Sequence, residues 1–298
     1  MIPTLADAGT LYVVPQPIAE TAQTRDNQTR DNQTRDNQTR DNQARDNQAR
    51  DNQARDTLSL PEAVWERAAL LKVWAGENLK PMRRFVVEAR KRANNWDKDL
   101  SDTLLQVVKH PKDIQPLLAR LLAGEDAGLV SDAGCPGIAD PGAPLIAVAH
   151  ELGVQVVPLV GPASPVLALM SSGLNGQSFT FHGYLPVQRP DRKKALKKLE
   201  HDALQSGYTQ LFIETPYRND AMLEDALQGL RPTTWLHVSV DATSAGAKHL
   251  TRSVAQWQER QEDPTRKWEL GKRPAVFALG PEPQQFERWL AAAFHAAE

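Results

Sequence analysis

The run Gly128-Leu129-Val130-Ser131-Asp132-Ala133-Gly134-Cys135-Pro136-Gly137-Ile138-Ala139-Asp140-Pro141-Gly142 constrains the fold more than any other part of the chain. A short apolar segment ends in Ser-Asp, a loop dense in Gly, Pro and Asp follows, and the apolar run Leu145 to Leu152 predicts a helix after it. This order, strand then loop then helix, is that of an α/β ligand site at the carboxyl end of a parallel strand. Glycine lets backbone approach a ligand closely and proline stiffens the loop. A plain connection needs only about 2–6 residues, so a loop this long is either functional or an unusually rigid βα turn.

The rest of the chain extends the same alternation. Leu11 to Val14 reads as a first strand with its loop at Pro15 to Ala19, and Leu60 to Trp74 as a helix with Ser59 as N-cap and Pro61 in its first turn. Phe85 to Glu88 reads as a short buried strand, Ile114 to Leu122 as an amphipathic helix closed by Gly124, and Leu129 to Ser131 and Val154 to Leu159 as strands. Such a β-α-β-α-β series implies a parallel or mixed sheet covered on both faces. Gly161-Pro162-Ala163-Ser164 breaks the pattern and marks a hinge, giving an N-terminal α/β domain over residues 1–160 and a C-terminal one over 161–298. In the second half, strands are predicted at Phe179 to His182, Gln210 to Glu214, Leu236 to Val240 and Ala275 to Leu279. Its helices are predicted near Arg192 to Leu204, Asp220 to Gln228, Val254 to Glu262 and Gln284 to Ala293.

A perfect five-residue repeat interrupts the first half. Four copies of Thr-Arg-Asp-Asn-Gln from Thr24 and two of Ala-Arg-Asp-Asn-Gln precede a fragment, Ala54-Arg55-Asp56. Each unit is charge-neutral and holds nothing more apolar than alanine, so residues 24–56 are expected to form a disordered insert rather than a packed array.

Composition narrows the chemistry. The 298 residues carry a formal net charge of −2, so the whole molecule is no electrostatic trap for nucleic acid, although a local basic patch is compatible with it. The single cysteine, Cys135, excludes an internal disulfide and a multi-thiolate metal site, and fits a reducing cytoplasm. Met1 to Gly9 shows neither the basic nor the apolar region of a secretory signal, and Pro and Gly interrupt the uncharged stretch Leu152 to Gln188 too often for a membrane span. The seven histidines have no metal-ligand spacing, so no metal is expected.

Several segments, in order, resemble one family. Ser131 to Gly142 is similar to S-D-A-G-T-P-G-I-S-D-P-G, and Leu11-Tyr12-Val13-Val14-Pro15-Gln16-Pro17-Ile18 to L-Y-V-V-x-T-P-I-G. Gly161-Pro162-Ala163-Ser164 resembles a G-P-S-A loop, Phe179 to Pro186 resembles F-x-F-x-G-F-L-P, and Phe212 to Arg218 resembles F-Y-E-S-P-H-R. These are signatures of the tetrapyrrole (corrin/porphyrin) methylase superfamily, in its bacterial small-subunit ribosomal RNA (cytidine-2′-O)-methyltransferase branch. The match covers roughly Gly9 to Ile18 and Gly124 to Asp225. It implies two unequal α/β domains with S-adenosylmethionine in the cleft between them, a homodimer, and ribosomal RNA or the small ribosomal subunit as partner.

The resemblance assigns the cofactor to Pro17, Ile18, Asp132, Ala133, Gly134, Cys135, Pro136, Gly161, Ala163, Ala278, Leu279 and Gly280. Asp132 would hold a ribose hydroxyl or the methionine ammonium, or else cap its own loop. Cys135 stands where the family has threonine and reads as a packing residue. Methyl transfer from a sulfonium needs neither metal nor covalent nucleophile, and positioning can supply ~7–11 kcal/mol. A ribose hydroxyl needs a base, for which Glu214 and Glu88 are the candidates; Glu214 reads equally as an ion pair with Arg218. The family's E-D-T-R is sought at Glu88-Ala89-Arg90-Lys91, A-R-E-L-T-K at Val238 to Thr243 and K-G-E at Lys272-Arg273-Pro274, each only partly matched. Arg189 to Lys198 is a dense basic run that suits RNA phosphates or a solvated helix face, and Arg83, Arg84, Arg90, Lys91 and Arg92 form a second cluster. These departures leave open a small-molecule acceptor such as a tetrapyrrole, or a non-catalytic cofactor-binding relative.

Overall fold

A computed structural model describes residues 8–18, 60–93, 100–244 and 246–295. The repeat insert expected at 24–56 and the N-cap expected at Ser59 lie outside the described residues. The described residues up to Ala163 form one compact unit, and those from Ser164 onward a second.

The first unit is a five-stranded sheet in the order β3-β2-β4-β1-β5, with β1 at Leu11–Val13, β2 at Val73–Gly76, β3 at Leu104–Val107, β4 at Ala127–Val130 and β5 at Val156–Pro158. Every pairing is parallel. Alternate side chains along each strand face opposite sides, so two cores form. On one face Val14, Trp74 and Val130 pack against α1 (Glu62–Leu70) and α2 (Leu79–Arg92). On the other, Leu11, Val73, Ala75, Ala127 and Leu129 pack against α3 (Gln115–Leu122) and α4 (Ala143–Glu151). Gly128 is required here because a Cβ would sit 2.5 Å from the Trp74 ring.

Two sequence expectations are corrected in this unit. The helix expected over Leu60 to Trp74 ends at Leu70, and its last residues form β2. The strand expected at Phe85 to Glu88 is the middle of α2. Met82, Phe85, Val86 and Ala89, spaced i, i+3, i+4, i+7, are all buried, and this helical stripe outweighs the short apolar run Phe85-Val86-Val87. The sequence reading also lacked β3, whose four residues are each only half-buried.

The topology creates a crevice. The chains leaving β1 and β2 cross to the α1–α2 face, whereas the chain leaving β4, between them, crosses to the face of α3 and α4. Ligands of open α/β sheets bind outside the strand carboxyl ends at such a switch point.

The second unit holds a mixed sheet in the order β6-β7-β10-β8-β9, with β6 at Phe179–Tyr184, β7 at Thr209–Glu214, β8 at Trp235–Val240, β9 at Lys248–Ser253 and β10 at Ala275–Gly280. Only β6 and β7 run parallel; the other pairings are antiparallel. Helices α6 (Arg189–Ser206), α7 (Asn219–Gly229) and α8 (Val254–Glu262) cover one face around a stacked Phe212–Phe277 pair, 5.3 Å between centroids. Helix α5 (Ser164–Ser172) covers the other through Ala168 and Leu169, and α9 (Phe286–His295) sets Phe286 edge-on against Trp235. The β9 strand is a further element that the sequence reading lacked. Among the described residues no helix is long and apolar enough to cross a membrane.

Candidate active site

The carboxyl ends of β1, β2, β4 and β5 in the first unit carry most of the residues singled out in the sequence. Gln16 and Gly134 exchange backbone hydrogen bonds at 2.9 and 3.0 Å, which ties the loop after β1 to the loop after β4. The Gln16 side chain adds a bond from Nε2 to the Ser131 carbonyl at 2.6 Å, and the Ser131 hydroxyl lies within 3.1 Å of the carbonyls of Ala133 and Gly134. Cys135 donates its thiol to the Pro162 carbonyl at 3.3 Å, joining the loop after β5. Burial pushes that thiol's pKa up, so it stays protonated and serves as a packing group.

Gly134 has φ +73°, a left-handed conformation that a side chain would strain, and a Cβ there would stand 3.3 Å from the Pro162 carbonyl oxygen and 3.5 Å from Ile18. Pro17, Ile18, Gly134, Cys135, Gly161 and Ala163 are therefore gathered at one place, with Asp132 and Ala133 exposed beside them. The far half of the loop is pinned by Asp140, whose Oδ1 accepts from the backbone N–H of Gly137 at 2.9 Å and of Gly142 at 2.8 Å.

The structure adds two residues that sequence reasoning missed. Glu77 and Asn78 follow directly on β2. Asn78 donates from Nδ2 to the Asp132 carboxylate at 2.6 Å, and Glu77, the residue before it, lines the same cavity as Asp140. Burial, with the nearby carboxylates of Asp140 and Asp132, pushes the Glu77 pKa up to about 7. Asp140 Oδ2 is buried and has no hydrogen-bond donor among the described residues. Both side chains line a cavity of about 350 Å³ whose other walls are mainly apolar, including Val108, Ile114, Leu129 and Leu145. The signal was present: Val73 to Gly76 ends in Glu77-Asn78 as Ala127 to Val130 ends in Ser131-Asp132, but assigning Trp74 to a helix concealed it. Glu77-Asn78-Leu79-Lys80 thus stands at a strand end where Glu88-Ala89-Arg90-Lys91 does not.

The other proposed residues fall elsewhere. Glu88 lies nine residues into α2 from Leu79, ~14 Å along the helix from the strand ends, and is ion-paired to Arg92 at 2.8 Å. Glu214, at the end of β7 in the second unit, has a fully enclosed side chain. Its Oε1 accepts from Thr215 N–H at 2.6 Å and from Arg218 at 2.5 and 3.0 Å, so its ion-pair role is realised; Oε2 is buried without a partner among the described residues. Ala278 and Leu279 are wholly buried in β10, where they supply sheet packing rather than a ligand surface. Gly280 is five residues along that strand from Ala275, which pairs with Glu214, so ~17 Å separates it from Glu214.

The basic run is partly consumed by structure. Arg192 and Arg189 bind the fully buried Asp225 at 2.5 and 2.6 Å and Lys193 turns to it at 3.7 Å, whereas Lys194, Lys197 and Lys198 are exposed on α6, Lys194 and Lys198 beside Asp191 and Asp202. Among the described residues no group of three or more His, Cys, Asp or Glu could hold a metal ion.

This chain has the α/β fold of a solved structure, a conserved hypothetical protein from Aeropyrum pernix K1. That structure is 17% identical, with a TM-score of 0.51 over 96% of this chain and 89% of the other. More specifically, part of the chain is similar to curated proteins named ribosomal RNA small subunit methyltransferase I. The Synechocystis protein is 41% identical over 111 residues, 37% of this chain and 38% of the relative. The Halalkalibacterium halodurans protein is 35% identical over 142 residues, 47% of each, and the Micromonospora olivasterospora protein 44% over 118 residues, 39% of this chain and 36% of the relative. The matches thus span less than half of the curated relatives' length, and they bear out the resemblance drawn from the motifs. No protein-family model matches the chain.

Proposed function

We propose that this protein is an S-adenosylmethionine-dependent methyltransferase that acts on ribosomal RNA of the small subunit, at a ribose 2′-hydroxyl. The observation that carries the reading is the Ser131–Gly142 loop, cross-linked to Gln16 and Pro162 at a topological switch point, in a chain part of which is similar to proteins named ribosomal RNA small subunit methyltransferase I. The fit of the cofactor rests on Gly134, whose missing Cβ keeps the floor of the loop clear, and on the exposed Asp132 and Ala133 above it. S-adenosylmethionine supplies, when bound, a sulfonium methyl group. The Asp132 carboxylate is oriented by Asn78 to receive an ammonium or hydroxyl group, while Ile18 and the Gly161–Ala163 loop border the loop at Gly134 and Cys135. Rigid backbone contacts of this kind act by alignment, the main lever in an in-line displacement. Ala278, Leu279 and Gly280 stay outside the assignment because they are enclosed in their sheet.

RNA binding is supported by the exposed Lys194, Lys197 and Lys198 of α6 and by the relatives' printed names. The consumption of Arg189 and Arg192 by Asp225 favours the alternative of a small-molecule acceptor to that extent. Two measurements decide. Calorimetry should show S-adenosylmethionine binding to the wild type and its loss in a folded Gly134→Val variant. Small subunits from cells lacking the gene should accept a labelled methyl group on a ribose; transfer only to small molecules would refute the RNA reading.

A further inference from the structure

We infer that Glu77 is the general base that takes the proton from the acceptor hydroxyl, with Asp140 positioning it. This rests on the methyltransferase reading and moves the base from Glu88 and Glu214, where the sequence placed it, to Glu77. Three placements support it. Glu77 follows directly on β2, and its neighbour Asn78 donates to the carboxylate of Asp132 at the start of the proposed cofactor loop. It lines the cavity at the strand ends and is only half-buried, so an acceptor group has access to it. Its other neighbour is Asp140, whose Oδ1 is held by two backbone N–H groups and whose buried Oδ2 lacks a donor. A proton on Glu77 supplies that donor.

The remaining carboxylates fail this geometry. Glu214 is enclosed and saturated at Oε1, and Glu88 is spent on Arg92 far along α2. The charged groups facing Glu77 are Asp132 and Asp140 from the β4 loop, and Lys109 and His110 from the segment after β3, which line the same cavity. Burial first, and then the carboxylates of Asp140 and Asp132, raise its proton affinity into the range where a base works best at neutral pH. In the step, the hydroxyl proton passes to Glu77. The freed oxygen pair forms the O–CH₃ bond as the C–S bond breaks, its electrons leaving on sulfur as a neutral thioether. The proton on Glu77 then bridges to Asp140 until solvent removes it.

The test follows methyl transfer to small subunits from cells lacking the gene, against pH, for wild type, Glu77→Gln and Asp140→Asn, with carbon-13 NMR titration of the Glu77 carboxyl as a second readout. Gln matches Glu in size and leaves the Asn78–Asp132 bond untouched, so cofactor binding by calorimetry should persist. The rate should fall about 10²–10⁴-fold and lose its rising limb near neutrality. In Asp140→Asn the limb and the NMR titration should both move to lower pH, since a neutral amide donor replaces a carboxylate. A Glu77→Gln enzyme within threefold of wild type, or Glu77 titrating in the ordinary carboxylate range, overturns the inference and leaves the methyltransferase reading standing. Absence of transfer by the wild type overturns both.

Discussion

Glu77→Gln also makes a prediction about stability that is independent of catalysis. In the folded protein the carboxyl is held up to about 7, against an ordinary value near 4.5. Between those two values the folded state keeps a proton that the unfolded chain has released. Stability therefore falls as pH rises through that window, and the whole penalty is present above pH 7. A fully buried group with such a difference would cost ~3 kcal/mol at 1.36 kcal/mol per pH unit. Glu77 is partly solvated, and screening brings the expected penalty down to about 1 kcal/mol. Glutamine carries no charge at any pH. The variant should match the wild type near pH 4.5 and exceed it by about 1 kcal/mol at pH 8, a rise in melting temperature of roughly 2–4 °C. Denaturant unfolding at pH 4.5, 6 and 8, followed by the fluorescence of Trp65 and Trp74 in the adjoining core, measures it. Titrating groups remote from Glu77, unlike Asp132 and Asp140, cancel in the difference between the two proteins. Parallel pH profiles for variant and wild type, or a variant less stable at pH 8, would refute the electrostatic account of this site.

Other substitutions probe the scaffold and the surface. Gly161→Ala should cost about 1–3 kcal/mol in chemical denaturation, because its Cβ collides with the Pro15 ring. Arg192→Met leaves Asp225 buried with a reduced set of donors and should destabilise the second unit by about 3–5 kcal/mol; a loss below 1 kcal/mol would show that Asp225 needs no such partner. Cys135 should react with iodoacetamide at pH 7 more slowly than a model thiol, since burial holds it protonated, and equal rates would contradict the packing role. If the outer face of α6 holds single-stranded RNA, changing Lys193, Lys194, Lys197 and Lys198 to Gln should flatten the salt dependence of binding by about 0.7 for each phosphate no longer neutralised; an unchanged slope places the RNA elsewhere on the protein.

The sequence by itself determined the local grammar. Gly, Pro and Asp clustered after Val130 specify a tight loop because left-handed φ and fixed proline torsions are properties of single residues. Apolar runs such as Leu211–Ile213 and Ala275–Gly280 likewise declare buried strands, and the capping box that starts α8 is written in Ser253 and Gln256. Short mixed segments were less legible. Val73–Gly76 and Phe85–Glu88 are each four residues long, too short for periodicity to separate strand from helix. What resolved them was which face of the sheet had room for Trp74 and Phe85.

The candidate site was decided by tertiary structure for a related reason. A carboxylate becomes a base through its surroundings, and those of Glu77 are its partial burial and the carboxylates of Asp140 and Asp132, more than fifty residues away in the chain. The order of the parallel strands brings these groups together, and long-range strand order is not written in any local run of residues. Folding also showed which expected partners were already taken. Asp225 binds Arg189 and Arg192, and Glu214 binds Arg218, because an enclosed charge is stable only when a partner and hydrogen bonds compensate for its lost water.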